Sequence, residues 1–131
     1  MDDKGTGFPE ITSFGTLLLF AQTLENAAAG YAEDFPKAKR VHTKRGKRLE
    51  LLRRERLNEV VLQPLTGLDR DEYLPPANAS AGAAGLAGLE DGIARYYRDA
   101  LIHGAHVLGG LERTFARFAR ESEDLAASLR G

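Results

Sequence analysis

The chain contains no cysteine and no tryptophan, one methionine and five prolines. Without cysteine there is no disulfide framework, no thiolate metal site and no thiol nucleophile. So few prolines leave long stretches free to be helical. Long apolar runs are missing too: the densest, Leu17 to Ala21 ("LLLFA"), is far below the roughly 18 residues that a membrane span needs. The opening "MDDKGTG" lacks the basic and apolar regions of a secretory signal, so a soluble, cytoplasmic protein is expected. No Gly-x-x-x-x-Gly-Lys or Gly-x-Gly-x-x-Gly pattern occurs, and no nucleophile elbow or serine triad is recognisable. An unaided hydrolase is therefore not expected.

Charge is plentiful and unevenly placed. The net charge is only −1, yet Lys37 to Arg56 carries ten lysines and arginines against Glu50 and Glu55. That segment is at about +8 and the remainder at about −9. Such a basic stretch either packs against acidic neighbours, within the chain or across a dimer, or tracks the phosphates of a nucleic acid or other polyanion. Aromatic residues are absent from it, so it offers no platform for base stacking.

The 131 residues suit one domain, with residues 1–8 as an N-terminal tail. Apolar residues recur at helical spacing in four segments, and no strand pattern is convincing. The first helix is expected from about Glu10 to Asp34, with Phe14, Leu18, Ala21, Glu25, Ala28, Ala32 and Phe35 along its inner stripe. Leu17, Leu19 and Phe20 add apolar surface on its other faces, which suggests burial on more than one side and hence a homodimer. The second is expected from about Phe35 to Leu62, with Ala38, Val41, Leu49, Leu52, Val60 and Val61 as its apolar positions. The third carries Ala83, Leu86, Glu90, Ile93, Tyr97 and Ala100 on one face, and the fourth, from about Ala105 to Arg130, carries Leu108, Leu111, Phe115, Phe118, Leu125 and Leu129.

Residues 64–80, with three prolines, one glycine and several Asp, Asn and Ser, form a loop. Fully extended it reaches roughly 55 Å, more than the roughly 40 Å of a 26-residue helix. It is long enough to cross a bundle from end to end. The other two connections are short and imply antiparallel hairpins. The expectation is an all-α, antiparallel four-helix bundle built from two helical hairpins joined by a long crossover.

The two hairpins also resemble each other. Leu24, Glu25, Tyr31 and Asp34 fall on Leu89, Glu90, Tyr96 and Asp99 at a constant offset of 65. Val41, Leu49, Leu52 and Glu55 fall on Val107, Phe115, Phe118 and Glu121 at an offset of 66. An internal duplication would place Glu25 and Glu90 opposite each other, on stripes that face the core. Buried carboxylates need a cation, either a metal or a basic side chain.

In these residues the chain resembles the ferritin-like superfamily, in the manner of the rubrerythrins, over about Phe14 to Leu129. The resemblance implies a ferritin-like bundle holding a pair of iron or manganese ions, used in an oxidoreductase or for iron handling. Carried over, Glu25 and Glu90 match the single glutamates of the first and third helices, and Glu55 and Glu121 match those of the paired Glu-x-x-His motifs. The positions three further on are Asn58 and Asp124, where the family has histidine. Asp124 retains an oxygen ligand; Asn58 does not retain the charge. The metal-ligand set implied is thus Glu25, Glu55, Glu90, Glu121 and Asp124.

A second solution needs no metal. Arg56 and Arg45 fall close to the inward face of the second helix, where a guanidinium would neutralise Glu25 or Glu90. The chain would then be a metal-free bundle serving as an interaction or structural module. Tyr31, Tyr96 and Tyr97 read as core aromatics whose hydroxyls seek polar partners, or as groups beside a metal. His103 and His106 stand three apart at a helix junction and suit capping or surface roles. His42, inside the basic run, is ill-placed to bind a cation.

Overall fold

The computed structural model describes residues 7–56 and 64–131. Its first helix, α1 (Phe14–Tyr31), starts where the sequence supplies a cap. The Ser13 hydroxyl accepts from the Thr16 amide at 3.2 Å, and the Ser13 amide donates to Thr16 Oγ1 at 2.9 Å. This reciprocal box satisfies donors that a helix start leaves orphaned, and it begins α1 four residues later than periodicity alone suggests. α2 (Pro36–Glu55) opens on Pro36, whose fixed φ and missing N–H suit the first turn. The expected extension of α2 to Leu62, including Asn58, Val60 and Val61, lies outside the described residues.

α3 (Gly82–His103) and a one-turn α4 (Ala105–Leu108) follow, then a 3-10 turn (Gly109–Leu111) and α5 (Glu112–Arg130). A continuous fourth helix from Ala105 was expected. The chain breaks instead at Gly109, whose φ of 59° and ψ of −121° no L-residue adopts easily. Among the described residues the fold is all-α, with four long helices and no strand. No helix among them is long and apolar enough to cross a membrane.

α1 packs chiefly against α2, and α3 against α5. Leu18, Leu24 and Ala28 of α1 and Leu49 of α2 are buried in one core with Leu86, Leu89 and Ile93 of α3 and Phe115 of α5. Tyr97 stands at its centre, its ring 5.0 Å from Phe115 and 5.4 Å from Phe118, edge to face. The positions matched by the offsets of 65 and 66 behave alike at the core and diverge at the rim. Leu24 and Leu89, Glu25 and Glu90, Leu49 and Phe115, and Leu52 and Phe118 are all buried. Tyr31, however, is 39 % exposed, whereas Tyr96 is enclosed and donates to the Leu17 carbonyl at 2.7 Å.

Of the extra apolar positions of α1, Leu17 and Phe20 are buried within the chain and Leu19 is half-buried. Phe20 meets Phe8 at 5.2 Å and Tyr73, in the connection before α3, at 6.4 Å. That connection is tied down at two points: the Leu65 amide donates to the Thr12 carbonyl at 3.1 Å, and Tyr73 Oη donates to Asp99 at 2.6 Å. Within it a 3-10 turn (Arg70–Tyr73) places Arg70 against the Phe8 carbonyl at 3.2 Å and Glu10 at 3.3 Å.

Gly85 permits a close approach. A Cβ there would fall 1.9 Å from the Asn78 carbonyl oxygen, whereas one at Gly88, in the same helix, would meet nothing within 4 Å. Gly85→Ala should therefore displace the chain at Asn78 and cost about 1–3 kcal/mol. Gly88→Ala should gain up to about 1 kcal/mol from helix propensity. Urea midpoints of the two variants against the parent chain measure both.

Candidate functional site: a buried Glu-His-Glu cluster

The inner face of α2 is set by spacing. Ala38, His42, Arg45, Leu49 and Leu52 alternate steps of four and three, so they share one stripe, and all five are buried. Two polar residues on that stripe must find partners inside the protein. His42 lies between the carboxylates of α1 and α3: Nδ1 is 2.6 Å from Glu25 Oε1, and Nε2 is 2.5 Å from Glu90 Oε2. Glu25, His42 and Glu90 are each 0 % exposed.

One turn further along α2, Arg45 completes the cluster. Its Nη1 donates to Glu25 Oε2 at 3.2 Å and to Ser122 Oγ at 2.9 Å. Its Nη2 donates to the Phe118 carbonyl at 3.0 Å and to Glu121 at 3.2 Å. The guanidinium also lies 5.0 Å from the centroid of the Phe118 ring. Tyr97 Oη donates to Glu25 Oε2, which thus accepts from two donors while Oε1 faces the imidazole. Two buried atoms in the cluster have no hydrogen-bond partner among the described residues: Arg45 Nε and Glu90 Oε1.

The charges stabilise one another. Burial works against a charged imidazole, but hydrogen bonds and charge from Glu25 and Glu90 outweigh it and raise the His42 pKa to about 9. In the protonated ring both nitrogens donate, Nδ1–H to Glu25 and Nε2–H to Glu90. Burial likewise works against the Glu25 carboxylate, yet the His42 hydrogen bond and the Arg45 charge hold its pKa below the usual value. Burial and the Glu25 charge push the Tyr97 phenol well above its ordinary range, so it remains a donor. Glu25 and Glu90 thus share the imidazolium of His42, and the Arg45 guanidinium answers both Glu25 and Glu121.

The ligand set implied by the resemblance is only partly gathered. Glu25 and Glu90 converge on His42. Glu121 is half-buried at the edge of the cluster, paired with Arg45 and 3.9 Å from Arg117. Glu55 and Asp124 are exposed, and Asn58 lies outside the described residues. Among the described residues no three His, Asp or Glu side chains are disposed to share a metal ion. Of the two candidate arginines, Arg45 takes the central position, while the Arg56 guanidinium lies beside Gly109. His103 sits against Gly67 and His106 Nε2 is 3.3 Å from the Pro64 carbonyl, so both serve the contact between the α3–α4 junction and the segment that begins at Pro64.

His42 and Ser122 were missed as site residues. The signal for His42 was present in the 38-42-45-49-52 stripe, which fits the buried face of α2 better than a stripe through Val41. Its place in a basic run hid it: cationic neighbours in sequence lie around the helix and point elsewhere. Ser122 carried no signal, because its role depends on α5 meeting α2.

No protein-family model, curated protein or solved structure gives a match to this chain.

The pKa directions set a pH dependence. A His42 pKa raised from 6.5 to about 9 gives stability that is complete below about 6.5 and is lost as pH rises through 9. A lowered Glu25 pKa gives stability present above 4.5 and lost as pH falls below it. Urea unfolding should therefore show a maximum between these limits, with a decline from pH 6.5 to 9 that His42→Leu abolishes. That variant leaves both carboxylates without their shared cation and should cost about 3–5 kcal/mol at pH 6.

Proposed function

We propose that this chain is a metal-free bundle on the ferritin-like plan, acting as an interaction module. Support for the plan comes from two packed helix pairs, with Glu25 and Glu90, matched at an offset of 65, both reaching His42 in the core. One observation carries the metal-free reading: a histidine bridges both central carboxylates, and an arginine holds one of them. Both ring nitrogens are committed to carboxylates, so neither presents a lone pair for a metal. A pair of iron or manganese ions would also need Glu55, Glu121 and Asp124, two of which are exposed and one of which is held by Arg45. The residues present do not fit a di-metal centre.

The interaction surface on this reading is the outer face of α2. Lys37, Arg40, Lys44, Lys47 and Arg48 are exposed along it. Ion pairs do draw in Lys39, with Glu33 at 2.8 Å, and Arg54, with Glu50 at 2.9 Å. The acidic excess elsewhere on the chain gives a second copy the complementary charge, and a homodimer is the simplest assembly that uses it.

The competing reading, a di-metal oxidoreductase or iron-handling protein, draws support from Glu90 Oε1, a buried carboxylate oxygen without a donor. Metal analysis separates the two. After anaerobic loading with iron(II) or manganese(II) and desalting, the protein should retain far less than one metal per chain, and its melting temperature should not change. Near-stoichiometric metal that disappears in Glu25→Ala/Glu90→Ala would overturn the metal-free reading.

A further inference from the structure

The buried cluster borders a surface cleft through Arg45. Only 3 % exposed, Arg45 lines this cleft of about 290 Å³ between α2 and α5. Val41 and Phe118 give this cleft its apolar lining, and Lys44, Arg48, Arg117 and Glu121 complete it. We propose that the cleft binds a compact phosphate-bearing small molecule, held by Lys44, Arg45, Arg48 and Arg117.

Charge is the first argument. Three cations, Lys44, Arg48 and Arg117, converge on a small concave space around Arg45, whose own charge already meets Glu25 and Glu121, each at 3.2 Å. Lys44 and Arg48 are exposed and have no ion pair among the described residues, while Arg117 has only the long 3.9 Å approach to Glu121. Like charges brought together beside a low-dielectric wall focus a positive potential, which an anion relieves.

Preorganisation is the second. The guanidinium groups of Arg45 and Arg117 lie 5.0 and 5.5 Å from the Phe118 ring centroid, so one aromatic side chain positions both. Arg45 is further fixed by Glu25, Ser122 and the Phe118 carbonyl. Its Nε remains buried without a partner, a donor unused by the chain's own groups. Immobilised guanidinium groups bind at a smaller entropic cost than free ones, and their planar forks match the oxygens of a phosphate.

Size and lining choose among anions. A volume of about 290 Å³ lies at the lower limit of small-molecule pockets and suits one or two phosphoryl groups with a small substituent. An extended nucleic acid would instead engage the whole basic face of α2, which includes Lys37, Arg40 and Lys47 outside the cleft. This site goes beyond the proposed module role and does not depend on whether the core takes metal.

Inorganic pyrophosphate is the probe, titrated into the full chain by calorimetry at constant ionic strength, with citrate and a short DNA duplex as separate arms. Saturable one-to-one binding of pyrophosphate, tighter than citrate, is the expected result. Lys44→Ala/Arg48→Ala should weaken it by roughly tenfold or more and Arg117→Ala by several-fold. Lys39→Ala/Arg54→Ala, on the same helix but outside the cleft and drawn into ion pairs with Glu33 and Glu50, should leave it within about twofold. These side chains are exposed or half-buried, and circular dichroism melts confirm that each variant folds. Absence of saturable pyrophosphate binding would overturn the proposal. So would citrate binding as tightly, equal loss in the Lys39/Arg54 variant, or duplex binding that depends on both pairs alike.

Discussion

A carboxylate enclosed by apolar side chains keeps its charge only beside a cation, because the interior cannot replace the hydration it gives up. Two such carboxylates, Glu25 and Glu90, stand on different helices of this core, and the imidazole of His42 from a third helix lies between them. The ring therefore does two things at once. It supplies charge, and it fixes the spacing of α1, α2 and α3, since each nitrogen must stay within hydrogen-bond reach of its own partner. Arg45 extends the constraint to α5 through Ser122 and the Phe118 carbonyl, so all four long helices contribute to one network.

The network makes the two hairpins unequal although their core stripes match. At an offset of 66, His42 and Arg45 of α2 correspond to Leu108 and Leu111, which are buried too. One hairpin thus carries the cations, and the other carries apolar residues at the same positions. Both glutamates are served by basic groups of one helix, His42 for both and Arg45 for Glu25. A buried ionic cluster of this kind adds little net stability over apolar packing, but breaking it is costly. Its value lies in specifying one arrangement of the helices.

The connection before α3 matters for a related reason. It brings Tyr73 against Phe20 of α1 and Tyr96 of α3, buries Leu65 and Leu68, and closely approaches α3 where Asn78 meets Gly85. With Phe8 and Ile11 it covers Phe20 on α1, a helix apolar nearly all round, from within the chain. A helix with that pattern can be satisfied by a partner or by its own loops, and periodicity does not distinguish the two.

Helical periodicity, the position of Pro36 and the length of residues 64–80 determined by themselves that this chain forms four long helices with one long connection. The recurrence of Glu25 and Glu90 on core stripes likewise determined that two carboxylates would be buried, because a stripe at helical spacing carries its polar members inward with its apolar ones. The helix break at Gly109 was written in the Gly-Gly pair but overlooked beneath a strong apolar pattern. Which cation answers the carboxylates was decided only in three dimensions. Arg45 and Arg56 were both candidates by spacing, and His42 none, yet His42 and Arg45 meet the carboxylates while Arg56 lies near Gly109. Pairing between helices depends on their relative rotation and height, and those come from packing the whole core rather than from any one stripe.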